Sequence, residues 1–250
     1  MIYLSGDPHG DTARFRMLRL QGEESWTEED TLIFLGDFGY VCGPDGSAVK
    51  RDFLEELASK PYTICFCDGN HENFDVINSC PVQEWNGGLV HVIRPNIFHL
   101  MRGQHFTIEG KTFLTLGGAY SRDAYNRRPG VDWFPESELY TPEDYKTTAA
   151  TLKAIGNKVD FVLSHTCPSE IIYRMRHTPD PHDAQMTGHF DWVMYELGDS
   201  FKQWFFGHWH VDGAITHRFR CVWYDVIALR EDEEGLCYTV IPPVVGSFYS

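Results

Sequence analysis

No apolar run in this chain approaches the roughly 18 residues needed to cross a bilayer. Nor is there a charged-then-apolar leader, because Met1-Ile2-Tyr3-Leu4 runs straight into a turn. The expectation is a soluble, cytoplasmic protein with no membrane partner. Basic residues are scarce: 21 Lys and Arg stand against 36 Asp and Glu, a formal net charge of −15. That balance argues against long nucleic acid, which is held mainly by clustered cations. Small phosphorylated substrates stay open, since bound metal ions can reverse the field locally. The seven cysteines are odd in number and lack disulfide-framework or zinc-ribbon spacing, which points to a reducing compartment. Cys65 and Cys67, two apart in an apolar run, are expected on one strand face as small core residues. Repeats, linkers and low-complexity segments are missing too, so residues 1–250 read as a single domain.

What is present suits a large core: 42% of residues are hydrophobic and 14% aromatic. Up to residue 80, strand-like and helix-like periods alternate. "MIYLSG", "TLIFLGD" and "YTICFCDGN" read as buried strands. Between them "DTARFRMLRL" reads as a helix burying Phe15, Leu18 and Leu20, and "SAVKRDFLEELASK" as one burying Val49, Phe53, Leu54 and Leu57. "HENFDVIN" begins a further short helix. Such alternation is the signature of parallel strands with right-handed crossovers.

The next stretches, "LVHVI", "IFHLMRG" and "HFTIEGKTFLTLGGA", predict an antiparallel meander turning at Glu109-Gly110-Lys111. Residues 120–140 are loop-like. "TPEDYKTTAATLKAIG" is a helix that Thr141 can cap, with Pro142, Glu143 and Asp144 suited to its first turn. "KVDFVLSHTCP" is another strand, and the proline-bearing stretch within 166–189 is a candidate lid carrying His177, His182 and His189. "FDWVMYELGDS" reads as a helix, "KQWFFGHWH" as a strand, and the tail as β-hairpins.

The polar residues fall where strands end. Asp7 and His9 follow the first strand, Asp37 the second, and Asn70 and His71 the third. His165 follows "VDFVLS", while His208 and His210 follow "KQWFFG". Open α/β sheets build their sites beyond the carboxyl ends of strands. Mixed carboxylate and imidazole donors suit Mn, Fe, Co, Ni or Zn rather than Ca. A carboxylate can also bridge two ions placed for displacement at phosphorus. Gly6, Gly36, Gly69 and Gly207 stand just before these groups, as tight exposing turns require.

The blocks "GDPHG", "GDFG", "GNHE", "SHTCP" and "GHWH" resemble the calcineurin-like metallophosphoesterase superfamily. The resemblance implies a four-layer α/β/β/α sandwich of two mixed sheets, hydrolysis of a phosphate ester, and two divalent or trivalent ions, with Mn favoured. It also implies roles: Asp7, His9 and His210 for the first ion, Asp37 bridging, and Asn70, His165 and His208 for the second. His71 is the implied catalytic residue, assisting the leaving group as a metal-bridging hydroxide attacks.

The second block departs from the pattern G-D-x-x-D-R of many members, because Tyr40 and Val41 stand where Asp and Arg are usual. Cys67 and Asp68 also replace the arginine that precedes G-N-H-E in protein phosphatases. A small substrate, monoester or diester, is therefore expected rather than a phosphoprotein. Asp68, Glu72 and Asp75 are the candidates for orienting His71. "GGAYSRDAYNRR" resembles a stretch of small bacterial and phage-type phosphoesterases and offers Arg127 and Arg122 for phosphate. Two alternatives accompany this reading: a non-catalytic binding scaffold on the same fold, and a nuclease.

Overall fold

The computed structural model describes residues 1–13, 23–44, 46–232 and 235–241. The expected helix carrying Phe15, Leu18 and Leu20 lies outside the described residues. One mixed sheet holds β1 (Ile2–Ser5), β2 (Thr31–Phe34), β3 (Thr63–Phe66), β4 (Val82–Trp85), β5 (Gly88–Arg94), β6 (Ile97–Leu100), β13 (Val226–Asp232) and β14 (Gly235–Ile241). Its order is β14-β13-β1-β2-β3-β6-β5-β4. The second holds β7 (His105–Ile108), β8 (Lys111–Leu116), β9 (Phe161–Ser164), β10 (Gln203–Phe206), β11 (Gly213–Thr216) and β12 (Phe219–Cys221). Its order is β11-β12-β10-β9-β8-β7.

Strand alternation builds the layers. Leu32 and Phe34 of β2 join Phe53, Leu54 and Leu57 of α1 (Ala48–Ala58). Ile33 and Leu35 point the other way, into a core shared with Phe113, Phe161, Leu163 and Phe205 of the second sheet. Val162, Trp204 and Phe206 then face outward. They meet residues of α3 (Pro142–Ala154), α4 (Ser169–Arg174) and α5 (Ala184–Leu197). The order helix, sheet, sheet, helix follows from period-2 patterning on strands buried on both faces. Phe161 stacks on Phe113 at 5.4 Å in the central core, so Phe161→Ala is expected to cost about 3–5 kcal/mol. Cys65 and Cys67 are free and buried in that core, as expected.

Several expectations are corrected. The meander is split between sheets: β5 pairs antiparallel with β6 and β7 with β8, but β6 lies along β3 and β8 along β9. The crossing at 101–104 is pinned by the Gly103 N–H donating to Thr115 O at 2.8 Å. β4 gave no apolar signal because it is a sheet edge with Val82 52% exposed. Val49 is 64% exposed, so burial along α1 begins one turn later, at Phe53. Within 166–189, α4 and the start of α5 place Ile171, Ile172 and Met186 in the outer core, leaving 166–168 and 175–183 irregular. α3 carries a full capping box between Thr141 and Asp144. Among the described residues, no helix is long and apolar enough to cross a membrane.

Candidate active site

β1, β2 and β3 are parallel, as are β9 and β10. Their carboxyl ends converge because the two sheets meet there, where His165 Nδ1 donates to Leu35 O at 2.8 Å. That bond fixes the tautomer and turns Nε2 inward. Nε2 then lies 3.4 Å from Asp37 Oδ2, 3.1 Å from Asn70 Oδ1 and 3.2 Å from His208 Nδ1. On the other side His9 Nε2 is 3.0 Å from His210 Nε2 and 3.6 Å from Asp37 Oδ2. His210 Nε2 is 3.4 Å from Asp7 Oδ2, and the same oxygen accepts the His208 backbone N–H at 2.7 Å.

The backbone is strained where the candidate donors sit. His9, Asp37, His208 and His210 have φ of 52°, 47°, 65° and 51°, a region costing L-residues about 1–2 kcal/mol each. Strain gathered on four polar residues of one cluster points to function rather than folding. Gly36, with φ +100°, is the glycine that needs its backbone freedom. Gly69 and Gly207 serve space instead, since an added Cβ would lie 2.1 Å from Asp37 Oδ1 and from Asp7 Oδ1.

Three sets of donor atoms lie within 4.8 Å of one another: Asp7, His9 and His210; His9, Asp37 and His71; Asp7, Asp37 and His165. Burial lowers the pKa of His9 and drives that of His208 well below its usual value. Both are therefore neutral imidazoles, the form that binds metal. Burial opposes charge on Asp37, yet His165, His71 and His9 hold it well below the usual carboxylate range. Burial also opposes charge on His165, but Asp37 and Asp7 raise it to about 10. A proton thus sits where a cation would sit, and buried carboxylates facing imidazoles fit a metal centre.

The family model for calcineurin-like phosphoesterases matches residues 1–212, a span that contains every residue of this cluster. The chain belongs to that family. It is accordingly a metal-dependent phosphoester hydrolase. Among solved structures, the calcineurin-like phosphoesterase YfkN from Bacillus subtilis aligns at 13% identity and a TM-score of 0.44, covering 98% of this chain and 90% of that one. TT1561 of Thermus thermophilus aligns at 11% identity and a TM-score of 0.47, covering 96% of this chain and 97% of that one. No curated protein matched this sequence.

In this phosphoesterase the three candidates for orienting His71 are otherwise engaged. Asp68 binds Arg102 and His99. The Glu72 carboxylate accepts the Phe38 and Gly39 N–H groups at 2.7 and 3.2 Å, and Asp75 is exposed in the first turn of α2 (Phe74–Ser79). The His71 backbone N–H donates to Asp37 Oδ1 at 2.8 Å. The carboxylate facing its ring is Asp123, 3.8 Å from Nε2. Asp123 stands inside the stretch singled out for its arginines, but no spacing rule aims it at His71.

The two arginines divide. Arg122 lines the cleft of about 300 Å³ that holds Asp37, Asn70, His71 and His208, with its guanidinium over the Trp209 ring at 5.0 Å. Arg127 braces the loop instead, donating from Nη1 to Ser121 Oγ at 2.8 Å and Asn70 O at 3.3 Å, and from Nη2 to Asp132 O. Ser121 was missed by sequence reasoning. Its hydroxyl donates to Glu138 Oε2 at 2.5 Å and accepts from Asn70 Nδ2 at 3.2 Å, which aims Asn70 Oδ1 at His165. His177 packs on Trp209 at the cleft and His182 stacks on Tyr120, whereas His189 sits among Tyr145 and Trp192.

Proposed function

We propose that this phosphoesterase hydrolyses a small phosphate ester, monoester or diester, at two metal ions. The observation that carries this reading is that His9, Asp37, Asn70, His208 and His210 line one cleft with His71, with donor atoms of Asp7 and His165 within 4.8 Å of Asp37. Asp7, His9 and His210 are assigned to one ion and Asn70, His165 and His208 to the other, with Asp37 shared between them. When bound, the ions would supply Lewis acidity toward water and the phosphoryl oxygens. His71 would assist the departing oxygen by a hydrogen bond as the bond to phosphorus breaks. Arg122, in the lining of the same cleft, offers a cation to the phosphate.

The filled ligand set supports an enzyme over a binding scaffold, and the −15 charge supports a small substrate over a nucleic acid. Seven free cysteines support a reducing, cytoplasmic setting. The test is a Mn-loaded screen of a chromogenic monoester, a diester and cyclic nucleotides, with single-stranded DNA alongside. Metal-dependent turnover of a small ester is expected. Turnover of DNA alone, or of nothing in the presence of Mn, overturns the reading.

A further inference from the structure

A second hollow, of about 260 Å³, opens behind His71. It shares only His9 and His71 with the cleft that holds Asp37, Asn70 and His208. In an in-line displacement the departing oxygen lies opposite the attacking one. A phosphate held on the ligand side of the cleft, with its departing oxygen at His71, therefore sends the rest of the leaving group toward this hollow. We propose that the hollow is a leaving-group subsite for a group carrying its own phosphate, with Lys50 as the determinant. The proposal rests on the phosphoesterase reading above and names its substrate class: compounds bearing two phosphates on one small scaffold.

The lining supports an anion. Lys50 reaches in from α1, with Nζ donating to Gly39 O at 2.9 Å and His9 O at 3.4 Å. An ammonium has three donors, so two carbonyls fix its position and one N–H is left for a ligand. Arg127 lines the same hollow. The two acids that line it carry bonds of their own: Glu72 accepts the Phe38 and Gly39 N–H groups. Asp132 Oδ1 accepts the Arg128 N–H at 2.5 Å. Val41 and Val131 add apolar walls suited to a small carbon scaffold. The same two bonds from Lys50 also tie the turn of His9 to that of Gly39, so the experiment must separate a binding role from a bracing one.

Phenyl phosphate and hydroquinone bisphosphate form a matched pair, differing only in the phosphate on the leaving group. With Mn-loaded wild type, the KM for the bisphosphate is expected at least tenfold below that for phenyl phosphate. Lys50→Met is expected to reduce that ratio to about twofold, the statistical value for two equivalent ends, and Lys50→Arg to restore most of it. A ratio that Lys50→Met leaves intact overturns the subsite and assigns Lys50 to bracing alone. Cys42 also lines the hollow and gives a readout that needs no turnover. Its alkylation in the metal-free protein, followed by peptide mass spectrometry, is expected to be slowed by 4-hydroxyphenyl phosphate in wild type but not in Lys50→Met. Turnover without protection overturns the subsite. Protection without turnover of either ester overturns the phosphoesterase reading, and the leaving-group role with it.

Discussion

Asp37 and Asp68 are both buried, at 1% exposed each, and each follows one of two neighbouring parallel strands. Their partners differ. Asp68 accepts two bonds from Arg102, at 2.8 and 2.5 Å, and faces His99 Nε2 at 3.1 Å. Asp37 accepts a backbone N–H and faces His165 and His9 at 3.4 and 3.6 Å. Arg102 and His99 hold the Asp68 carboxyl far down although burial opposes it. An arginine never gives up its proton, so the Asp68 cluster is closed and structural. Imidazoles can, so the Asp37 cluster can exchange a proton for a metal ion. What surrounds a buried carboxylate, more than its burial, decides whether it serves the fold or the chemistry.

The strongest way to break that contrast is Asp37→Asn. Hydrolysis should fall by more than the 10- to 100-fold typical of groups that merely support a ligand, while the metal-free protein keeps its Tm. His71→Ala comes next, with kcat lowered about 10²- to 10⁴-fold and metal content unchanged in the same preparation. Asp68→Asn should do the reverse of Asp37→Asn. It leaves Arg102 buried without its counter-charge and should cost about 3 kcal/mol in urea unfolding, yet the Tm rise on adding Mn persists.

pH sharpens the same contrast. His165 is raised to about 10 in the metal-free protein, so its proton must leave on loading and Mn affinity should rise from pH 6 to 8 in calorimetric titrations. Asp68 works in the opposite window. Its folded pKa lies below the ordinary carboxylate value, so its stabilisation is present above about pH 4 and is lost as pH falls further. The smallest effect is expected for Ser121→Ala, which frees the Asn70 amide and should weaken one Mn site about tenfold, seen as splitting of the binding isotherm.

The sandwich was legible because its central strands are continuous apolar runs, and the candidate donors stood out because each lies just beyond such a run, all but His165 after a glycine as well. Neither signal depends on distant contacts. Asp123 was not legible, since its place facing His71 depends on Arg127, Ser121 and Glu138 meeting across a loop without periodicity. Asp68 was misread for a related reason. Beside G-N-H it looked like part of the site, and only the fold brings Arg102 and His99 to it. The meander failed because local pairing is written in sequence while the choice of sheet is not. The segment 166–189 reads as lid because its prolines mask the apolar stripe of Ile171, Ile172 and Met186.

If Asp37 with its histidines is a ligand shared by two ions, metal stoichiometry will show it. Wild type and Asp37→Asn would be loaded with Mn, desalted and measured by inductively coupled plasma mass spectrometry. Two ions per chain in wild type and loss of both in Asp37→Asn are predicted. Equal metal content in the two proteins, or loss of a single ion from the variant, would contradict it.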